Sequence, residues 1–154
     1  MNNNPAFNNE KIQQLEATCR ARGLSLTHQR RALLEALARR KDHPTADQIF
    51  DELKERLTGL SRTTVYRILE TFVRVGLVAK ISSPQAKARF DADTRRHHHV
   101  SCVQCGEVTD LVVSDFDLPD LPESHSSGYR LYDYAITFSG LCPRCQSCNN
   151  QATQ

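Results

Sequence analysis

Two Cys-x-x-Cys pairs, Cys102/Cys105 and Cys142/Cys145, constrain this chain more than any other feature. Thiolates at that spacing, brought together two and two, satisfy the tetrahedral preference of Zn2+ and leave no coordination position open. Such an ion is structural, and the segment between the pairs must leave one point and return to it. Zinc rather than disulfide is the expectation for a reducing compartment. No basic, apolar leader pattern opens the chain and no apolar run approaches membrane length, so the expected location is the cytoplasm, with no membrane partner. Cys148 continues the series and competes as a ligand, whereas Cys19 falls on an apolar helical stripe and reads as a small core residue.

Charge divides the chain into two kinds of sequence. Residues 1–90 hold 16 Lys/Arg against 9 Asp/Glu and residues 91–154 hold 4 against 9, giving +7 and −5 beneath a net charge of +2. A basic half suits a polyanion, and an acidic half rich in Cys and His suits cations. A length of 154 residues allows two small domains, which bury little surface and gain from a metal or a second subunit. The polar segments 1–9 and 147–154 read as disordered tails.

The basic half reads as helices followed by a hairpin. Ile12, Leu15 and Cys19 share a helical face that stops at Gly23. Thr27 caps a second helix to about Arg40, and Thr45 with Gln48 forms a capping box for a third that Gly59 ends. A fourth runs from the Ser61 cap to Gly76, burying Val65, Ile68, Leu69, Phe72 and Val73. Its other face gathers Arg62, Thr63, Tyr66 and Arg67, the guanidinium and hydroxyl groups that a recognition helix offers to base edges and phosphates. "LVAKI", a turn, and "ARFD" complete a winged helix-turn-helix. A solvated helix face is the plainer reading, and the +7 charge with the following wing argues against it.

In the acidic half, "HHHVSCVQCGEVTDLVV" reads as a hairpin turning at CxxCG, and "YRLYDYAITFSG" alternates as a strand that carries the second CxxC to the first. Successive strand side chains point to opposite faces. His97 and His99 therefore share a face and His98 points away. Two imidazoles are too few for a tight site. Asp91 and Asp110 offer oxygens, and His43, before Pro44, is a fifth candidate. Taken one at a time, these read as a loop histidine and solvated carboxylates, and composition alone does not pick out His43.

The chain resembles the ferric uptake regulator family of bacterial metalloregulatory repressors. The likeness runs from about residue 10 to Cys145 and rests on "LTHQRRALLEAL", "HPTADQIF", "TTVYRILETFVRVGLV", "RFD", "HHHVSCVQCGEVTD" and "GLCPRC", in that order. It implies an α+β protein: a winged helix-turn-helix domain over residues 10–91, a hinge at 92–96, and a small α/β dimerisation domain over 97–146 stapled by zinc. Such a protein works as a homodimer on operator double-stranded DNA. The family's regulatory Fe2+ or Mn2+ position matches His43, Asp91, His97, His99 and Asp110, and its structural Zn2+ position matches Cys102, Cys105, Cys142 and Cys145. "HPTAD", and an aspartate at Asp110 where iron-uptake members usually carry glutamate, are similar to the peroxide-responsive branch. That branch implies peroxide as the signal, acting through iron-catalysed oxidation at His43 and His97. The alternative is an iron-uptake or zinc-uptake regulator, although no sensing-site cysteine is offered for zinc.

Two departures accompany the resemblance. An additional metal site of iron-uptake members needs a histidine where this chain has Tyr134, so that site is not expected. The dimerisation helix of the family corresponds to "SDFDLPDLPESHSSG", whose two prolines disfavour a long helix. A metalloenzyme reading, with His97, His99 and an aspartate around a catalytic ion, needs an open position and a general base. It has no HExxH-type signature to support it and leaves the basic half unexplained. A zinc-stapled interaction module leaves the histidines unexplained. The expectation is therefore a regulator, not an enzyme, with no small-molecule substrate apart from peroxide.

Overall fold

Side-chain caps set where the chain turns in the N-terminal part of the computed structural model, which describes residues 5–83, 86–111, 127–132, 134 and 136–151. Its contacts form two units, Met1–Thr94 and Arg95–Gln154. The first holds α1 (Pro5–Ala21), α2 (His28–Arg39), α3 (Ala46–Leu53), α4 (Arg62–Arg74) and the hairpin β1 (Ala79–Ser83) and β2 (Ala86–Asp91). Thr27 opens α2 by accepting a hydrogen bond from the Arg30 amide. Thr45 and Gln48 cap α3 reciprocally: the Thr45 amide donates to Gln48 Oε1 at 2.8 Å, and the Gln48 amide to Thr45 Oγ1 at 3.3 Å. Ser61 Oγ accepts from the Thr64 amide at 3.1 Å and opens α4.

The apolar stripes meet in one core of Leu15, Leu33, Leu37, Ile49, Leu53, Val65, Leu69, Phe72, Val78 and Phe90. Cys19 packs there at 1% exposure, and burial pushes its thiol pKa up against the opposing effect of Arg30. Phe90 is the wing's contribution, since β1 and β2 pair antiparallel with Lys80 opposite Phe90. The hairpin is also attached to the loop before α3. The Phe90 amide donates to Pro44 O at 3.0 Å, and Thr45 bridges Arg89.

Three helix boundaries differ from the sequence reading. α3 stops at Leu53 instead of running on to Gly59, because exposed Lys54, Glu55 and Arg56 give a further helical turn nothing to pack on. Leu57 still reaches the core from the looser turn that follows. The segments read as disordered tails contribute helix: α1 begins at Pro5, and α5 (Pro143–Gln151) runs past residue 147. In both, proline takes the first helical position, where its missing N–H is no loss and its fixed φ suits the turn.

The second unit holds β3 (His98–Cys102), β4 (Val108–Leu111), β5 (Thr137–Gly140) and α5. Its sheet runs β4-β3-β5, with β3 antiparallel to β4 and parallel to β5. His99 lies opposite Asp110 on one side and Thr137 on the other. The strand read across "YRLYDYAITFSG" is regular only over Thr137–Gly140 among the described residues. Tyr129 and Tyr132 before it are 71% and 82% exposed and have no packing to gain from sheet order. The proline-containing stretch expected to replace the dimerisation helix lies, over 112–126, outside the described residues.

Thr45→Ala removes the capping box and is expected to cost about 1 kcal/mol. Leu69→Ala, at 0% exposure, is expected to cost about 2–5 kcal/mol. Urea midpoints of the two variants, compared at unchanged slope, test the ranking.

Candidate metal centres and nucleic-acid interface

β3 ends in the first Cys pair. Gly106, at φ 70°, closes the knuckle, with its amide on Cys102 O at 2.9 Å and the Cys102 amide on Glu107 O at 2.8 Å. A left-handed residue is needed there, and glycine takes that conformation without a Cβ clash. β5 runs parallel to β3 with Gly140 opposite Cys102. Cys142 therefore arrives two residues later, and its amide donates to Cys102 Sγ at 3.4 Å. Cys145 follows one turn into α5.

The four sulfurs lie within 4.8 Å of one another, and Cys105 Sγ and Cys142 Sγ are 3.7 Å apart. A tetrahedron with Zn–S bonds of about 2.3 Å has an edge of about 3.8 Å. The cluster thus fits a structural zinc ion. Its electrostatics point the same way. Amide hydrogen bonds, from Cys142 foremost, lower the Cys102 pKa to about 6, whereas burial and the neighbouring thiols push Cys145 up to about 12. Four adjacent thiolates repel one another, and a divalent cation removes that obstacle. Cys148 is exposed on α5 and is not among the four.

The histidine–carboxylate candidates fall into two sets, one in each unit. In the first, His43 and Asp91 are buried, with His43 Nε2 3.4 Å from Asp91 Oδ2. Asp91 Oδ1 accepts from the Asp93 amide at 2.8 Å, which fixes the carboxylate with Oδ2 turned toward the imidazole. In the second, His97 Nε2 and His99 Nε2 are 3.3 and 3.7 Å from Asp110 Oδ1. His97 Nδ1 donates to Arg95 O at 2.7 Å. That tautomer leaves the Nε2 lone pair for a cation, the usual arrangement of a metal-binding histidine.

The alternation read from the sequence is present along β3. The His97 and His99 rings approach to 4.5 Å, while His98 is buried apart from them, stacked on Tyr134 at 5.9 Å and accepting from the Ile136 amide. Tyr134 also lies beneath the Arg96 guanidinium, at 4.0 Å.

Sequence reasoning missed the groups that hold His43. Its φ of 47° places a non-glycine residue in the left-handed region, a conformation that persists only where surroundings enforce it. Arg89 from β2 does so by donating to His43 O at 2.9 Å and Asp42 O at 3.3 Å. Arg40 holds Asp42 through two hydrogen bonds and also reaches Glu52 at 2.9 Å. The position of His43 before Pro44 was a signal of restricted backbone, but nothing local pointed to Arg89.

On α4, Arg62, Thr63, Tyr66 and Arg67 are all exposed on the face away from the core. They differ in freedom. Arg62 Nη1 donates to Asp47 Oδ1 at 2.8 Å, and its guanidinium lies 4.5 Å over the Phe50 ring.

Residues 21–139 match the model of the Ferric uptake regulator family. The chain belongs to that family. It is 31% identical to the peroxide-responsive repressor PerR of Staphylococcus aureus over 141 residues, covering 88% of this chain and 92% of that protein. It is also 31% identical to the peroxide operon regulator of Bacillus subtilis, covering 91% and 97%. The ferric uptake regulator of Helicobacter pylori has the same fold, with a TM-score of 0.70 over 90% of this chain and 93% of that one at 17% identity. The protein is thus a metal-responsive transcriptional regulator and not an enzyme. Regulators of the family bind metals, and they bind operator DNA as dimers. Among the described residues, no helix is long and apolar enough to cross a membrane.

Two substitutions separate the metal candidates. Elemental analysis is expected to find one zinc per chain in the wild type and none in Cys105→Ser, which should also fold less stably. His97→Ala is expected to keep that zinc and lose Mn2+ binding measured by calorimetry. Identical behaviour of the two would overturn the division into structural and regulatory donors.

Proposed function

We propose that the protein is a cytoplasmic, homodimeric repressor that binds operator DNA when one regulatory Fe2+ or Mn2+ ion takes His43 and Asp91 together with His97, His99 and Asp110. The observation that carries this reading is that each unit contributes an incomplete donor set, two groups in one and three in the other, already oriented by hydrogen bonds. Neither set alone supplies the five or six donors that such ions favour. Their sum does, with nitrogen and oxygen in the mixture that suits Fe2+ or Mn2+.

The consequence is mechanical. Donors on both sides of residues 92–96 bind one ion together only at certain angles of that hinge, so the ion favours one pose of the DNA-binding unit. The favoured pose is limited by the ion's difference in affinity between poses. In a dimer, the angle sets the spacing of the two α4 helices, which half-sites must match. Metal and operator then strengthen each other's binding equally. Thr63, Tyr66 and Arg67 meet the duplex directly. Structural zinc at Cys102, Cys105, Cys142 and Cys145 keeps the second unit folded throughout.

Peroxide is the proposed signal, supported by 31% identity to two peroxide-responsive regulators. A ferrous ion held by His43, Asp91, His97, His99 and Asp110 would supply the electrons that reduce hydrogen peroxide beside the imidazoles, and Mn2+ would not. His43 and His97 would be the rings oxidised, a ring carbon gaining one peroxide oxygen while the other oxygen leaves as water. An oxidised imidazole is a poor donor, so the clamp opens and repression ends.

The test uses a duplex selected from a random-sequence library by Mn2+-loaded protein. Zinc-only protein is expected to bind it weakly, and Mn2+ or Fe2+ to raise affinity at least about tenfold, a coupling of roughly 1.4 kcal/mol. Peroxide is expected to cancel the gain in the Fe2+ form alone. Mass spectrometry then finds one added oxygen in a peptide containing His43 or His97. Metal-dependent binding without that adduct removes peroxide from the proposal and leaves a plain iron sensor.

A further inference from the structure

Asp47 sits in the first turn of α3, in a motif to which no role of its own has been given, and engages two cations of the DNA-binding face at once. Its Oδ1 accepts from Arg62 Nη1 at 2.8 Å, and its Oδ2 from Lys87 Nζ at 2.5 Å. Arg62 is the first residue of α4 and Lys87 lies on the wing strand β2, so one carboxylate ties the recognition helix and the wing to α3. Asp51 takes a weaker share of Arg62, at 3.6 Å. The Asp47 carboxyl is held below the usual carboxylate range by the Lys87 hydrogen bond first, with Arg62 acting in the same sense. It is therefore an anion at neutral pH.

The cations themselves remain open to solvent. The side chains of Arg62 and Lys87 are 52% and 71% exposed, against 25% for Asp47. Exposed pairs of this kind are weak and exchange readily. A carboxylate with two oxygens on a guanidinium and an ammonium presents the chemistry that a phosphate diester presents.

We propose that Asp47 is a specificity-determining residue that stands in for a DNA phosphate, occupying Lys87 and Arg62 so that arbitrary duplexes must displace it. This rests on the DNA-binding reading above. Duplexes whose bases also satisfy Thr63, Tyr66 and Arg67 recover the lost contacts. Random ones do not, and the ratio of specific to non-specific binding rises. Arg62 is then a conditional phosphate contact, and Lys87 joins it as a further one.

Asp47→Asn keeps the side-chain shape and removes the charge. In Mn2+-loaded protein, it is expected to raise affinity for a mixed-sequence duplex roughly tenfold at about 0.1 M salt, because each cation freed for a phosphate adds about 0.9 to the slope of log affinity against log salt. The slope is expected to steepen by about 1, since Asp51 still restrains Arg62. Affinity for the selected duplex is expected to change less. The gain should vanish when Asp47→Asn is made in an Arg62→Gln/Lys87→Gln background. A gain that survives there reflects net charge alone and overturns the proposal. So does wild-type duplex binding that Asp47→Asn leaves unchanged or weakens, with circular dichroism confirming an intact fold. Absence of any duplex binding by both proteins overturns the DNA-binding reading as well.

Discussion

Four cysteine sulfurs drawn within 4.8 Å of one another are the constraint around which the second unit is organised. A sheet with three short strands buries little on its own, and among the described residues of the unit Cys102 on β3 and Cys145 on α5 are two of the few buried apolar ones. Amide hydrogen bonds pull the Cys102 pKa down to about 6, while burial and the neighbouring thiols push Cys145 up to about 12. Amide dipoles favour one anion, and crowding opposes the next. A divalent cation resolves the conflict and converts crowding into cohesion. The histidine-bearing end of β3 is ordered by strands that this cluster joins.

The first unit solves a different problem, which is to bury an imidazole on a loop without letting the loop relax. His43 adopts a left-handed conformation at 3% exposure. It is held from the wing by Arg89 and the Phe90 amide, from the helix side by the Thr45 capping box, and from below by Arg40 on Asp42. Each restraint belongs to an element of the winged helix. The winged-helix scaffold and the candidate metal donor therefore share parts, and strain at His43 is offset by the packing of the wing.

Much of this was legible in the sequence where local chemistry decides the outcome. Thr27, Thr45 and Ser61 cap helices because their hydroxyls reach an amide three residues on, whatever the tertiary context. The split of His97 and His99 from His98 follows from the period of an extended chain. What was not legible depended on distant partners. The end of α3 was misplaced because Leu57 looked like a continuing helical stripe, yet it reaches the core from a turn. Arg89, Asp47 and Tyr134 acquire their roles from His43, Lys87 and His98, which are 46, 40 and 36 residues away in sequence, and no periodicity reports such a pairing.

The pairing of β3 with β5 sets Cys102 opposite Gly140 and His99 opposite Thr137. A slide of one residue along that ladder would exchange the faces of the strand, presenting His98 where His97 and His99 now stand. The same slide would carry Cys142 away from Cys102 Sγ, which its amide now contacts at 3.4 Å. The sulfur cluster thus works as a frame check. A chain threaded out of step cannot complete it, so the register that gathers the sulfurs also decides which imidazoles share a face at the far end.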